Sequence, residues 1–93
     1  MQAYKLSHPR PLSDHMIYDS HDGVKDRTIS IVRSTITSAT YNSSLNVLYI
    51  DCHWYLSSRD YYEPLPVAMN SIREARSFLS NISRVPVKEF ANG

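Results

Sequence analysis

The sequence predicts a small α+β domain in which a short antiparallel sheet packs against one helix near the C-terminus. Two observations support this prediction: apolar residues alternate with mixed residues through 45–56, and a helix-capping motif at Ser71 precedes an amphipathic segment. Period-two alternation is typical of a half-buried strand, whereas apolar residues three and four apart are typical of a helix lying on a core. We therefore expect a β-hairpin, a short edge strand and then the helix.

We expect residues 1–93 to form a single domain, because a chain of 93 residues is too short to divide between two cores. Residues 1–27 contain Pro9, Pro11 and an Asp22-Gly23 pair, which interrupt any long helix. This part is expected to be an arm or loop region packed on the core. Residues 85–93 are expected to form an extended tail.

The segment 27–41 is rich in β-branched and hydroxyl-bearing residues, which favours a strand because such side chains are stiff at χ1. Its apolar positions change from odd to even between Ile31 and Val32. A strand with one buried face cannot do this without an irregularity, so we expect a β-bulge at this point. Residues 41–44 then supply the turn of the hairpin.

The second strand of the hairpin, over 45–56, has the clearest alternation in the chain. Its even-numbered apolar residues are Leu48, Ile50, Cys52, Trp54 and Leu56. We expect this even-numbered set to face the core. A short strand over 60–63 should follow, and Pro64 and Pro66 confine it to a sheet edge because proline cannot donate a hydrogen bond to a neighbouring strand.

The helix is expected over 72–82. Ser71 and Glu74 have the spacing of a capping box, in which the serine hydroxyl accepts from the Glu74 N–H and the glutamate accepts from the serine N–H. The apolar residues of the segment recur at three and four, and they are Ile72, Ala75, Phe78, Leu79 and Ile82. This stripe should face the even-numbered set of the hairpin.

Composition excludes several function classes. The net charge of +1 is too small to attract nucleic acid or anionic lipid without a local patch. Cys52 is the one cysteine, so a single chain cannot form a disulfide or a cysteine-based zinc cage, and its apolar surroundings predict an inert thiol. The two glycines, Gly23 and Gly93, cannot supply a glycine-rich phosphate loop. We expect no cofactor, and a non-enzymatic role is favoured.

Neither membrane insertion nor secretion is expected. The longest purely apolar run covers 47–50, far below the roughly 20 residues that a spanning helix needs. A signal peptide would need an apolar stretch near the N-terminus, which the first residues lack. The free cysteine favours a reducing compartment, and we expect a cytoplasmic protein.

The N-terminal part contains a concentration of possible metal ligands, namely His8, Asp14, His15, Asp19, His21 and Asp22. Imidazole and carboxylate groups are acceptable ligands for a divalent metal. Their spacing matches no site of known type, and polar loops commonly contain the same residues. We therefore assign no metal site from the sequence.

The odd-numbered face of the second strand is the candidate binding surface. It presents Tyr49, Asp51, His53 and Tyr55 at two-residue spacing. The binding surface is expected to include residues that flank this strand, namely Arg33, Arg59, Tyr61 and Tyr62. Tyrosine and arginine are frequent in protein interfaces, and tyrosine also stacks on nucleic-acid bases. Structural filling of a second sheet face is the alternative, and no catalytic residue is assigned.

Three functions stay open. A protein-binding domain is favoured by the tyrosines, the edge strand and the near-neutral charge. A module for single-stranded nucleic acid or RNA would use the same tyrosines with nearby arginines. A small nuclease, with or without a metal, would use His53 with Asp51 or the N-terminal group of histidines and aspartates.

In size and lack of motifs, the chain resembles the small accessory or inhibitor proteins that phages and other mobile elements use against host machinery. This resemblance implies an inhibitor that acts on a host protein or nuclease complex in the host cytoplasm. We also expect a dimer rather than a monomer, because an edge strand and a partly apolar second face can be buried on another copy.

Overall fold

The computed structural model of the protein describes residues 3–90, which contain nine strands, one 3-10 turn and one α-helix. The strands that precede the helix are β1 (Lys5–Leu12), β2 (His15–His21), β3 (Asp26–Val32), β4 (Ser38–Asn42), β5 (Val47–Asp51), β6 (Trp54–Leu56), β7 (Arg59–Tyr61) and β8 (Leu65–Ala68). The helix is α1 (Ile72–Ser80), and β9 (Val87–Phe90) follows it. The domain is thus α+β as expected, with far more sheet than the sequence predicts.

The strands form two sheets rather than one. The first has the order β1-β2-β3-β6-β7 and the second has the order β8-β5-β4-β9. Every neighbouring pair is antiparallel except β4 and β9, which run parallel. A single hydrophobic core takes residues from both sheets and from the helix. The prediction of one small sheet is therefore wrong.

The two sheets are joined by the chain where it passes from one to the other and by a bridge at Tyr4. The chain passes from β5 in one sheet to β6 in the other across Cys52 and His53. Tyr4 forms a parallel bridge with Val67. The Tyr4 N–H donates to the Pro66 carbonyl at 3.0 Å, and the Ala68 N–H donates to the Tyr4 carbonyl at 2.8 Å. These bonds attach the start of β1 to the edge strand β8.

Within the segment 1–27, the described residues 3–27 do not form the expected arm or loop region, since β1, β2 and the start of β3 lie there. Prolines fit in β1 because it is an edge strand, where a missing N–H donor leaves no partner unsatisfied. Its register with β2 shifts between Ser7 and Arg10, and His8 within this irregularity has a φ of 53°. The side chains of β1 are mostly polar and exposed, so this strand lacks the alternation of apolar residues by which a strand is recognised in a sequence.

The segment 27–41 is not one strand with a bulge. After β3, Arg33–Thr35 forms a 3-10 turn, and β4 then enters the other sheet. The Thr35 hydroxyl donates to the Val32 carbonyl at 2.6 Å and accepts from the His53 N–H at 2.9 Å. The change of the apolar positions from odd to even thus marks the place where the chain leaves the first sheet and enters the second.

The predicted core face of the second hairpin strand is confirmed, although that strand is divided into β5 and β6. All five even-numbered residues, Leu48, Ile50, Cys52, Trp54 and Leu56, are buried. A short edge strand is also found, but β7 covers Arg59–Tyr61 rather than 60–63; among the described residues it pairs only with β6. Pro66 lies in β8, at the edge of the second sheet.

The helix begins as predicted after Ser71 but ends at Ser80, two residues early. The Glu74 N–H donates to the Ser71 hydroxyl at 3.1 Å. The Glu74 carboxylate accepts from the Asn70 N–H at 2.7 Å, so the return bond of the capping box is made one residue earlier than expected. Both bonds satisfy donors near the helix N-terminus.

The helix places its predicted stripe on the core. Ala75, Leu79 and Ile82 are buried, and Phe78 packs against Tyr18 with ring centroids 5.5 Å apart. The expected tail contains β9, and residues 91–93 lie outside the described part of the chain. Among residues 3–90, no helix has the length and apolar character needed to cross a membrane.

Substitution of Ser57 tests the turn between β6 and β7. Ser57 has a φ of 56°, a left-handed conformation that costs a non-glycine residue about 1 to 2 kcal/mol. Ser57→Gly removes this cost, while the added freedom of the unfolded chain offsets about 0.4 to 1 kcal/mol of the gain. We expect urea denaturation to show a free energy of unfolding raised by up to about 1.6 kcal/mol.

The matched control is Ser58→Gly, at the neighbouring turn position without a positive φ. It should lower the free energy of unfolding, because glycine there only loosens the unfolded chain. Equal effects of the two substitutions would contradict the strain assigned to Ser57.

Candidate functional site

The predicted binding residues do not form one surface. His53, Tyr55 and Tyr62 lie together on the outer face of the five-stranded sheet, and Tyr49 and Tyr61 line a pocket at the junction of the two sheets. Arg33, Asp51 and Arg59 belong to neither group. The odd-numbered residues are separated because β5 and β6 lie in different sheets.

The register of the five-stranded sheet explains the outer group. Tyr55 lies opposite Ser30 on β3 and opposite Asp60 on β7. Residues that face each other across neighbouring strands project to the same side of a sheet. Across β2 and β3, the His15 Nδ1 lies 2.9 Å from the Ser30 hydroxyl, which places His15 on this face as well.

Four rings on this face form a continuous series, which we call the ring column: Tyr62, His53, Tyr55 and His15. Tyr62 stacks on His53 with centroids 4.2 Å apart and planes at 12°. The His53 and Tyr55 centroids lie 4.8 Å apart, and those of Tyr55 and His15 lie 6.0 Å apart. Each ring thus contacts at least one other ring, so the rings hold one another in place.

His53 is the fixed centre of the ring column. Its N–H donates to the Thr35 hydroxyl, and its carbonyl accepts from the Val32 N–H at 3.0 Å. Its Nε2 lies 3.3 Å from an Asp60 carboxylate oxygen, and only 17 % of its side chain is exposed. Tyr62, by contrast, is 73 % exposed, so the ring column ends in a side chain that is open to contact.

The pocket at the junction of the sheets, which we call the aromatic pocket, has a volume of about 390 Å³. Its walls are Tyr4, Tyr49, Trp54, Tyr61, Glu63, Pro64 and Pro66. Trp54 and Tyr61 stack with centroids 4.7 Å apart, and Tyr4 meets Trp54 edge-on at 6.0 Å. The indole N–H of Trp54 donates to the Glu63 carbonyl at 2.7 Å, which fixes the ring.

Charged groups lie on the side of the aromatic pocket that contains the Tyr4 hydroxyl. Burial raises the pKa of the Tyr4 hydroxyl, the Arg27 guanidinium lowers it, and the carboxylates of Asp22 and Glu63 raise it. Arg27 and Asp22 form an ion pair at 2.5 Å. Backbone N–H groups of the following turn hold the pKa of Asp22 below its usual value, so this carboxylate is charged.

Three predicted site residues have structural partners or positions elsewhere. Arg33 donates to the Ser13 carbonyl, and the Asp51 carboxylate accepts from the Ser38 hydroxyl. Arg59 is exposed on β7, one position from Asp60 and therefore on the opposite side of that strand. Asp51 and His53 do not form the pair that the nuclease hypothesis requires, because the carboxylate beside His53 belongs to Asp60.

The N-terminal histidines and aspartates are spread along β1 and β2. His8 lies 3.1 Å from Asp19, and His21 lies 3.7 Å from Asp26, each as a separate pair. No group of three His, Cys, Asp or Glu residues within 3–90 is arranged to hold a metal ion.

Sequence reasoning missed Tyr4 and His15 as members of the two aromatic surfaces. Both lie within residues 1–27, for which the sequence predicts an arm or loop region. Both reach their partners through pairing of strands that are distant in the sequence. The alternation of buried Met16, Tyr18 and Ser20 was the signal that could have identified β2 and placed His15 on its outer face.

Comparison with protein-family models gives no match, and comparisons with curated proteins and with solved structures give none either. Functional inference for this chain therefore rests on its own geometry.

Burial of Cys52 and Tyr18 predicts sensitivity to alkali. Burial raises the pKa of the thiol from 9.0 to about 12 and that of the Tyr18 phenol from 10.0 to about 12. Folding favours the neutral forms, so their contribution to stability is complete below pH 9 and declines as the pH rises towards 12. Urea denaturation across this range should show a falling free energy of unfolding.

A thiol reagent gives an independent measurement. Cys52 should react slowly with a disulfide reagent in the folded protein and rapidly after denaturation in urea, because only the exposed thiolate is nucleophilic. A fast reaction of the folded protein would contradict the burial of this side chain.

Proposed function

We propose that the chain is a non-enzymatic protein-binding domain and that the ring column is its contact surface. The observation that carries this proposal is the unbroken contact of four rings on one sheet face, ending in a Tyr62 that is 73 % exposed. Aromatic side chains that are already held in place lose little entropy on binding, which makes them effective interface anchors.

The charges beside the ring column favour a protein over nucleic acid. Asp60 adjoins His53 and is 51 % exposed, so a phosphate backbone on this face would meet a carboxylate. Arg10 on the same sheet is paired with Asp19 at 3.0 Å. Arg33 and Arg59, the two arginines of the predicted binding surface, are not part of the ring column.

The chemistry of the described residues supports binding more than catalysis. The Cys52 thiol is buried and its pKa is raised, which disfavours a nucleophilic role. The partner class that size and lack of motifs favour is a host protein or nuclease complex acted on by a phage or mobile-element protein.

Substitution of Tyr62 tests the contact surface. Tagged protein and its Tyr62→Ala and Phe90→Ala variants are used to capture proteins from a bacterial lysate, with quantification by mass spectrometry. Tyr62→Ala should reduce capture of the specific partner about tenfold or more, since aromatic hot spots contribute about 2 kcal/mol or more. Phe90→Ala is the matched control, because Phe90 is 52 % exposed but lies on β9 in the other sheet.

Circular dichroism of each variant shows whether the fold is kept. Equal capture by the original protein and Tyr62→Ala, with the fold intact, would overturn the proposed surface. Binding of a single-stranded oligonucleotide at about 50 mM salt that weakens steeply as salt rises would favour the nucleic-acid alternative instead.

We also propose that the ring column supports a homodimer when no other partner is present. A two-fold axis would bring one Tyr62 against the ring column of a second copy. Light scattering coupled to size-exclusion chromatography should show a dimer that Tyr62→Ala converts to a monomer and that Phe90→Ala leaves unchanged. A monomer at high protein concentration would exclude this assembly.

A further inference from the structure

We propose that the aromatic pocket binds a methylated ammonium cation, such as the trimethylammonium group of choline or of a trimethylated lysine. This site is separate from the ring column, because the consecutive residues Tyr61 and Tyr62 project to opposite sides of the chain. The proposal therefore goes beyond protein binding through the outer sheet face.

The walls of the pocket have the chemistry that such a cation requires. Four of the seven lining residues are aromatic, and two more are prolines. A cation is attracted to the negative face of an aromatic ring, and its methyl groups are at the same time accommodated by apolar surface. The volume of about 390 Å³ admits a small organic group.

The rings are fixed before any ligand enters. Trp54 is 3 % exposed and is held by its bond to the Glu63 carbonyl and by its stack on Tyr61. Tyr4 is held through its backbone by two hydrogen bonds to β8. Walls that need no rearrangement lower the entropic cost of binding.

Charge favours a cation over an anion or a neutral group. Glu63 is one of the lining residues, and the carboxylates of Glu63 and Asp22 both act on the Tyr4 hydroxyl. Arg27 is the charged residue with the largest effect on the same hydroxyl, and its positive charge is offset by the ion pair with Asp22. The remaining charge beside the pocket is therefore the Glu63 carboxylate.

A proline-rich peptide is a less suitable occupant. Such peptides dock on aromatic grooves and are held by donors that reach their carbonyl oxygens. The indole N–H of Trp54 is not available to such a carbonyl, because it already donates to the Glu63 carbonyl. A positive charge uses the ring faces and the carboxylate, and it needs no donor.

The test compares choline with its neutral isostere 3,3-dimethylbutan-1-ol on the complete chain. Trp54 is the only tryptophan, so its fluorescence reports on the pocket directly. We expect saturable choline binding and at least about tenfold weaker binding of the isostere, because both fill the same volume and only one carries charge. Equal binding of the two would overturn the proposal, as would the absence of a response to choline.

Two substitutions separate the rings from the charge. Tyr61→Leu retains apolar volume but removes a ring, and Glu63→Gln removes the charge but leaves the backbone carbonyl that holds Trp54. Each should weaken choline binding several-fold. Phe90→Leu and Glu89→Gln on β9 are the matched controls and should leave it unchanged. If Tyr61→Leu does not fold, Glu63→Gln decides, and undiminished binding by this variant would overturn the role of charge.

A final comparison identifies the source of the cation. A short peptide with a trimethylated lysine is titrated beside its unmethylated counterpart and beside choline. Tighter binding of the methylated peptide than of choline assigns the site to a modified protein, whereas equal affinity assigns it to the free cation. The capture experiment with Tyr62→Ala tests the ring column, whereas the choline titration tests the aromatic pocket. Failure of one proposal therefore leaves the other intact.

Discussion

The rest of the structure depends on one buried apolar face that passes without interruption from one sheet to the other. Leu48 and Ile50 present this face in β5, and Trp54 and Leu56 continue it in β6. The bend between them must satisfy its backbone groups, and it does so through hydrogen bonds to the segment that joins β3 to β4. The core, the ring column and the aromatic pocket all meet at this bend.

Local pattern was sufficient where a residue's environment is set by its own element. The even-numbered face of 45–56 and the helix after Ser71 follow from periodicity and capping, and both are confirmed. Pattern failed in β1, because an exposed edge strand with prolines and polar side chains has no hydrophobic period to detect. It also failed to join His15 with Tyr55, because their contact depends on pairing of β2, β3 and β6.

The short strand β7 determines how the candidate surfaces are divided. It is three residues long and pairs with β6 alone among the described strands, yet its end directs Tyr61 and Tyr62 to different sides. The sequence presents these two tyrosines as one aromatic patch. Consecutive residues of a strand project to opposite faces of the sheet. A change of register by one residue would therefore place Tyr62 at the aromatic pocket and Tyr61 at the ring column.

Tyr4 links the aromatic pocket to the attachment of β1 to β8. Its backbone fastens the start of β1 to β8, while its ring forms part of the pocket wall. Local opening of this attachment between β1 and β8 would displace Tyr4 and dismantle the pocket. A ligand that requires the intact wall would therefore stabilise the attachment of β1 to β8. By thermodynamic linkage, this attachment would in turn strengthen binding of the ligand.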